Sequence, residues 1–280
     1  MQKSLKIVSI VLFSLILFLA LFFAFNATSE IKVLAESAPS IQINGTEYVN
    51  DVNTNPLQTA IGDALESNEE NVVIDLSGEI VIEPIEVIVE GEENTYYKGI
   101  EIAPSGTSPK ITFRITANTI ISRSESNTDF TMFAITNANV VFQTVENATL
   151  TIDGNRQNVD KKDETEVPMF LLNASNLTLS GNISLINGMA YRGGCINATS
   201  STISCTGITF EKNRSSNQGG VINLEGGAAE FKNCFFIDNF SGSRAGAIYA
   251  ELSDIENVDA ELTIEDCTFK ENGLLDMPYH

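Results

Sequence analysis

The chain has 280 residues, 43% of them hydrophobic, enough apolar material for one large domain or two small ones and too much for wholesale disorder. Its formal net charge of −21 excludes nucleic acid and anionic membrane surfaces as natural partners, since both require basic patches.

In chain order, Lys3 and Lys6 precede residues 7–25, an uncharged apolar run. A basic start followed by such a run is an export signal, and this one is also long enough to span a bilayer. Val33-Leu34-Ala35 offers a cleavage site after Ala35. A cleaved signal over residues 1–35 and an uncleaved membrane anchor both remain open, and either puts the rest outside the cytoplasm. Nine Asn-x-Ser/Thr sequons follow, at Asn26, Asn44, Asn147, Asn173, Asn176, Asn182, Asn197, Asn213 and Asn239. They are glycan acceptors in a eukaryotic secretory route, or chance products of an Asn/Ser/Thr-rich chain.

Residues 36–70 form an N-terminal segment. Within it, PLQTAIGDALESN (residues 56–68) predicts a capping helix, with Asn55 as N-cap and Leu57, Ala60, Ile61, Ala64 and Leu65 as its apolar stripe. From residue 71 onward the pattern is β. NVVIDL is the first strand, and residues 79–90, 98–102, 111–115 and 118–124 continue the rhythm with irregular turns.

Self-comparison then reveals a repeat. Met132-Phe133, Met169-Phe170, Cys195-Ile196, Val221-Ile222 and Ala247-Ile248 are spaced by 37, 26, 26 and 26 residues. Val140/Phe142, Leu177/Leu179, Ile203/Cys205, Ala229/Phe231 and Leu262/Ile264 form a second series, each pair pointing to one side of an extended strand. A third series is Ile208/Phe210, Cys234/Phe236 and Cys267/Phe269, closed by Asn213, Asn239 and Asn272, with Ile183, Leu185 and Asn187 as a shorter form. Three strands in about 26 residues are too few for a propeller blade and lack helical spacing. The expectation is an all-β, right-handed, single-stranded parallel β-helix over residues 71–280, with three strands and about eight rungs of 20–30 residues each. Glycine supplies positive φ at the corners, and asparagine tolerates left-handed turns and stacks its amide.

Two insertions interrupt the register, residues 155–168 and 251–262, both acidic. They are solvated loops, or they contact a ligand or Ca²⁺, the one ion left open. GLLDMPYH follows the last repeat directly, giving the expectation that the β-helix is truncated at its carboxyl end.

Catalysis finds little support. Asn127-Thr128-Asp129 matches a three-residue polygalacturonase motif, but the remaining segments of that constellation are absent and the only histidine is His280. Arg114 and Arg123 lie on strands with no acidic cluster tied to them. No catalytic, cofactor or metal residues are assigned. The four cysteines lie in the repeat. Cys234 and Cys267 occupy equivalent positions in adjacent rungs, either bridged or stacked as small buried hydrophobes, and the plainer thiol reading is preferred.

Gly193-Gly194-Cys195-Ile196, Gly219-Gly220-Val221-Ile222 and Ala245-Gly246-Ala247-Ile248 resemble the GGA[I/L/V] motif. Phe210-Glu-Lys-Asn213, Phe236-Ile-Asp-Asn239 and Phe269-Lys-Glu-Asn272 resemble its FxxN partner. This pairing resembles the polymorphic outer membrane protein (Pmp) repeat and related adhesin-like β-helix proteins of methanogenic archaea, gut bacteria and some protists. The match covers about residues 169–272 and departs where Cys195 and Val221 replace the alanine and Ala245 replaces a glycine. The expectation is a β-helix without the family's autotransporter barrel in these 280 residues. The resemblance implies a secreted or surface-displayed, non-catalytic, adhesin-like protein binding extracellular or cell-envelope glycans or proteins. The alternative is a polysaccharide lyase or glycoside hydrolase on the same scaffold. A membrane partner enters only through residues 7–25.

Overall fold

The computed structural model describes residues 40–43, 46–49, 56–67, 69–88, 95–106, 109–125, 128–155, 167–252 and 261–274, all within the compact unit Pro39–His280. The leader at residues 1–35, Asn26, Asn44, Asn55, Asn127, most of both acidic insertions and His280 lie outside the described residues.

Alternating burial dictates the strands. In residues 71–76, Val72, Ile74 and Leu76 are buried and the residues between them are not, so every second side chain turns inward. The same inward positions recur in the segments stacked on it, although Thr112 and Val141 are buried on the outward side as well and the last segment, Glu261–Glu265, is only partly covered. Val72, Ile111, Val140, Leu177, Ile203, Ala229 and Leu262 stand in one parallel register column. That column defines face A and gives seven levels among the described residues, against the eight expected. Face B runs through Ile80, Ile121, Ile152, Leu185, Phe210, Phe236 and Phe269. Face C runs through Ile100, Phe133, Phe170, Ile196, Ile222 and Ile248. The chain passes from C to A to B and returns one strand spacing, about 4.8 Å, further along. This is a parallel β-helix with three faces.

The later coils add a short fourth ladder at the corner between B and C. It comprises Met189–Arg192, Arg214–Gln218, Phe240–Ser241 and Gly273–Leu274. Those residues are mostly polar, so alternation alone did not separate them from turn.

The core is built in two aromatic clusters. Phe113 stacks on Phe142 at 4.5 Å and Phe133 on Phe170 at 5.0 Å, joined edge-on by Phe133–Phe142 at 5.6 Å. Phe210, Phe236 and Phe269 stack at 4.9 and 4.6 Å, with Phe231 edge-on to Phe236 at 5.6 Å. Parallel registration forces this, because identical positions on successive rungs sit directly above one another. Each fully buried phenylalanine contributes about 1.5–3 kcal/mol.

Helix α1, Pro56–Glu66, caps the start of the solenoid as expected, burying Leu57, Ala60, Ile61 and Ala64. Gln58 extends the cap by hydrogen bonding. Its Nε2 donates to the Glu101 carbonyl at 3.0 Å, and its Oε1 accepts from the Glu101 N–H at 2.7 Å. One side-chain amide thereby pairs with the exposed edge of face C. The edge of face A is covered by antiparallel strand Ser40–Ile43, itself paired with Thr46–Val49. That hairpin has no counterpart among the sequence expectations.

The repeat motif has direct physical causes. Gly193 and Gly219 hold φ of +55° and +64°, and Ala245 takes the same left-handed conformation at +55°. At the second glycine the constraint is space. A Cβ on Gly194 would lie 2.1 Å from the Arg214 carbonyl oxygen, and one on Gly220 would lie 2.1 Å from that of Gly246.

Candidate functional site

The FxxN asparagines point into the body of the solenoid. Asn213 and Asn239 are fully buried. The Asn213 N–H donates to Asn239 Oδ1 at 2.9 Å, and the Asn239 N–H donates to Asn272 Oδ1 at 3.1 Å. Each Nδ2 also donates to a carbonyl of the preceding rung: Leu185, Phe210 and Phe236 respectively. The amide stack is as expected, but the left-handed turn belongs to the residue before each asparagine. Lys212, Asp238 and Glu271 take φ of 56°, 53° and 56°. A second ladder runs at the corner between C and A, where the Ser175 N–H donates to buried Ser201 Oγ at 3.1 Å and the Ala138 N–H to Ser175 Oγ at 3.2 Å. These polar columns satisfy the corners and are scaffold.

Burial also sorts the sequons. Asn197, Asn213 and Asn239 are buried, whereas Asn147, Asn173, Asn176 and Asn182 are exposed.

Three groups from the sequence expectations are structural. Arg114 forms a bidentate pair with Asp75, Nε to Oδ1 at 2.6 Å and Nη2 to Oδ2 at 2.7 Å, on the exposed side of face A. Arg123 is fully buried, lies 5.6 Å from the centre of the Phe130 ring, and donates to the carbonyls of Thr128, Val167 and Pro168. It thus clips the excursion 124–132 to the end of the 155–168 insertion. Of the short Asn127-Thr128-Asp129 motif, Thr128 supplies one of those carbonyls and Asp129 is exposed. Among the described residues no three His, Cys, Asp or Glu side chains gather to hold a metal.

The cysteines are free thiols. Cys234 and Cys267 do stack, with the Cys234 N–H donating to Cys267 Sγ at 3.3 Å. Burial pushes the Cys195 and Cys205 thiols well above their usual value and Cys234 up to about 11. They are therefore protonated packing groups near neutrality and poor nucleophiles.

Two outer surfaces remain. Face A presents a nearly neutral central field in register: Asn139, Asn176 and Thr202 in one column, Thr178 and Ser204 in the next beyond the buried Thr112 and Val141, then Gln143, Ser180 and Thr206. Charge brackets the field at both ends, with Asp75–Arg114 at one and Glu230–Lys232–Glu265 at the other.

The second surface is a crease where the fourth ladder meets face C. Asn223 alternates with inward Ile222 and Leu224, so it points outward, yet it is fully buried. Its Oδ1 accepts from Gln218 Nε2 at 3.2 Å, and its Nδ2 donates to Asn197 Oδ1 at 2.9 Å and Glu225 Oε1 at 3.3 Å. Arg192 holds Glu225 from the rim at 2.9 Å. One rung further along, Tyr249 and Glu251 stand in register with Asn223 and Glu225, and Arg244 pairs with Gln218. The rim thus places two carboxylates and two guanidiniums beside a tyrosine. Sequence self-comparison passed over these residues because outward positions change type between rungs. Asn197 and Asn223, one residue after Ile196 and Ile222, were findable at the 26-residue period.

With this geometry in place, comparison with known families bears on the repeat. Residues 207–225 match the Chlamydia polymorphic membrane protein (Chlamydia_PMP) repeat. The chain carries a Pmp-type repeat. The matched stretch begins at Gly207, includes Phe210, Asn213 and Gly219-Gly220, and ends at Glu225 in the crease. Comparisons with curated proteins and with solved structures gave no match. Among the described residues no helix is long and apolar enough to cross a membrane.

Proposed function

We propose that the protein is exported and displayed at the cell surface as an adhesin-like β-helix that binds an extracellular glycan or protein without cleaving it. The Pmp-type repeat supports a surface location, and the uncharged run at residues 7–25 after Lys3 and Lys6 supports export, by cleaved signal or retained anchor. The observation that carries the adhesive reading is the registered Asn, Thr, Ser and Gln field of face A, which offers many weak, directional contacts and no group able to move a proton at neutral pH. The rival reading, a polysaccharide lyase or hydrolase, draws on Glu225 and Glu251 beside Arg192 and Arg244. Glu225 is already held by Arg192 and Asn223, which marks it as a fixed acceptor. Antibody labelling of intact cells, together with adhesion of beads coated with the full chain, tests the proposal. Surface labelling and bead adhesion are expected; labelling only after permeabilisation, or inert beads, would overturn it.

A further inference from the structure

We propose that the crease between the fourth ladder and face C is a saccharide-binding site for a neutral, linear hexose polymer lying along the solenoid axis. This rests on the adhesin reading and names its ligand.

The rim spans three successive rungs and is asymmetric along them. On the two earlier rungs the contacts are tight: Arg192 on one reaches Glu225 on the next at 2.9 Å, with Asn223 beneath them fully buried. The later rung is loose. Arg244 Nη1 lies 3.5 Å from the Tyr249 hydroxyl, and that hydroxyl lies 3.4 Å from Glu251 Oε2. Both distances are beyond the range of good hydrogen bonds, about 2.7–3.2 Å for N–H···O and 2.5–3.0 Å for O–H···O. Arg244 and Glu251 are exposed, so among the described residues a guanidinium, a phenol and a carboxylate stand with hydrogen-bonding capacity largely unspent above a pre-ordered polar floor.

Planar bidentate groups of this kind match vicinal hydroxyls, and a half-buried tyrosine ring offers an apolar platform to a sugar face. The rungs repeat every 4.8 Å or so, close to the advance of one sugar in an extended chain. The ligand is assigned as neutral for two reasons. Two guanidiniums face two carboxylates, so the crease carries no surplus charge, and the chain as a whole is −21, which repels uronates and sulfates.

Isothermal titration of the full chain with gluco- and manno-hexaoses, with a hexuronate for comparison, tests the assignment. Tyr249→Ala and Glu251→Gln are expected to weaken neutral hexaose binding at least tenfold, with unchanged melting temperature. Glu69→Gln, exposed beside the capping helix, is expected to leave it unchanged, and a disaccharide is expected to bind more weakly than a hexaose. Hexaose binding that ignores both crease variants, or preference for the hexuronate, would overturn the site or its ligand class. Absence of hexaose binding while coated beads still adhere to cells would overturn this inference and leave the adhesin reading standing; loss of both would remove both.

Discussion

The asparagines of the FxxN motif show why a residue can repeat without being functional. Asn239 satisfies the Asn213 N–H, the Phe210 carbonyl and Asn272 Oδ1 within a site closed to water. Asn239→Ala orphans the first two at once, each costing about 1–3 kcal/mol. A loss of about 3 kcal/mol in chemical denaturation is expected, and a loss under 1 kcal/mol would mean the ladder is ornamental. The glycine corner makes a paired prediction. Ala245 bears a Cβ in a left-handed conformation that Gly219 occupies freely. Ala245→Gly should therefore stabilise by about 0.5–1 kcal/mol, the relief of strain less the added freedom of the unfolded chain. Gly220→Ala should do the reverse and more severely, since its Cβ would meet the backbone of the next rung at 2.1 Å. At Cys234 burial raises the thiol from 9.0 to about 11. The folded state then keeps its proton where the unfolded state has lost it. Its contribution is complete below about pH 9 and disappears as pH rises through about 11. Cys234→Ala should flatten the fall in stability across that window; an unchanged slope would place the thiol in a wetter site.

Elements differ in how far their sequence announces them. The strands of faces A, B and C are legible because every second residue is apolar and the pattern recurs at 26 residues, as in Leu177/Leu179 and Ile203/Cys205. Helix α1 is legible from its stripe. The hairpin formed by Ser40–Ile43 and Thr46–Val49 is not, because two four-residue strands carry little periodicity and their role depends on a distant edge. The fourth ladder is hidden for another reason: Arg214–Gln218 is polar throughout and reads as turn. The Arg123 clip was visible only as an isolated cation on a strand, since the carbonyls it binds belong to segments up to 45 residues away. Arg123→Met removes three charged hydrogen bonds and leaves carbonyls of two excursions without that donor. A loss of about 3 kcal/mol is expected, with faster proteolysis inside 124–132 and 155–168. Cleavage rates unchanged from wild type would show that the excursions are anchored elsewhere.

At the scale of the whole molecule, repetition and specificity occupy opposite sides of the same strands. Inward positions must match their neighbours on the rungs either side, so they repeat and can be read; outward positions owe nothing to that register and can vary. The glycine and FxxN motifs therefore reveal the solenoid, while the crease around Tyr249 and the neutral field of face A emerge only once the strands are stacked. The three buried thiols with the half-buried Cys267, the two polar ladders and the aromatic stacks all serve the scaffold. On the proposed reading, the neutral hydrogen-bonding field and the polar crease hold a ligand without transforming it. The most direct test incubates the full chain with a panel of immobilised neutral and acidic polysaccharides, scoring retained protein and released saccharide in the same wells. Retention without release of reducing or unsaturated ends is predicted; release of such ends would contradict the account and assign the carboxylates of the crease to catalysis.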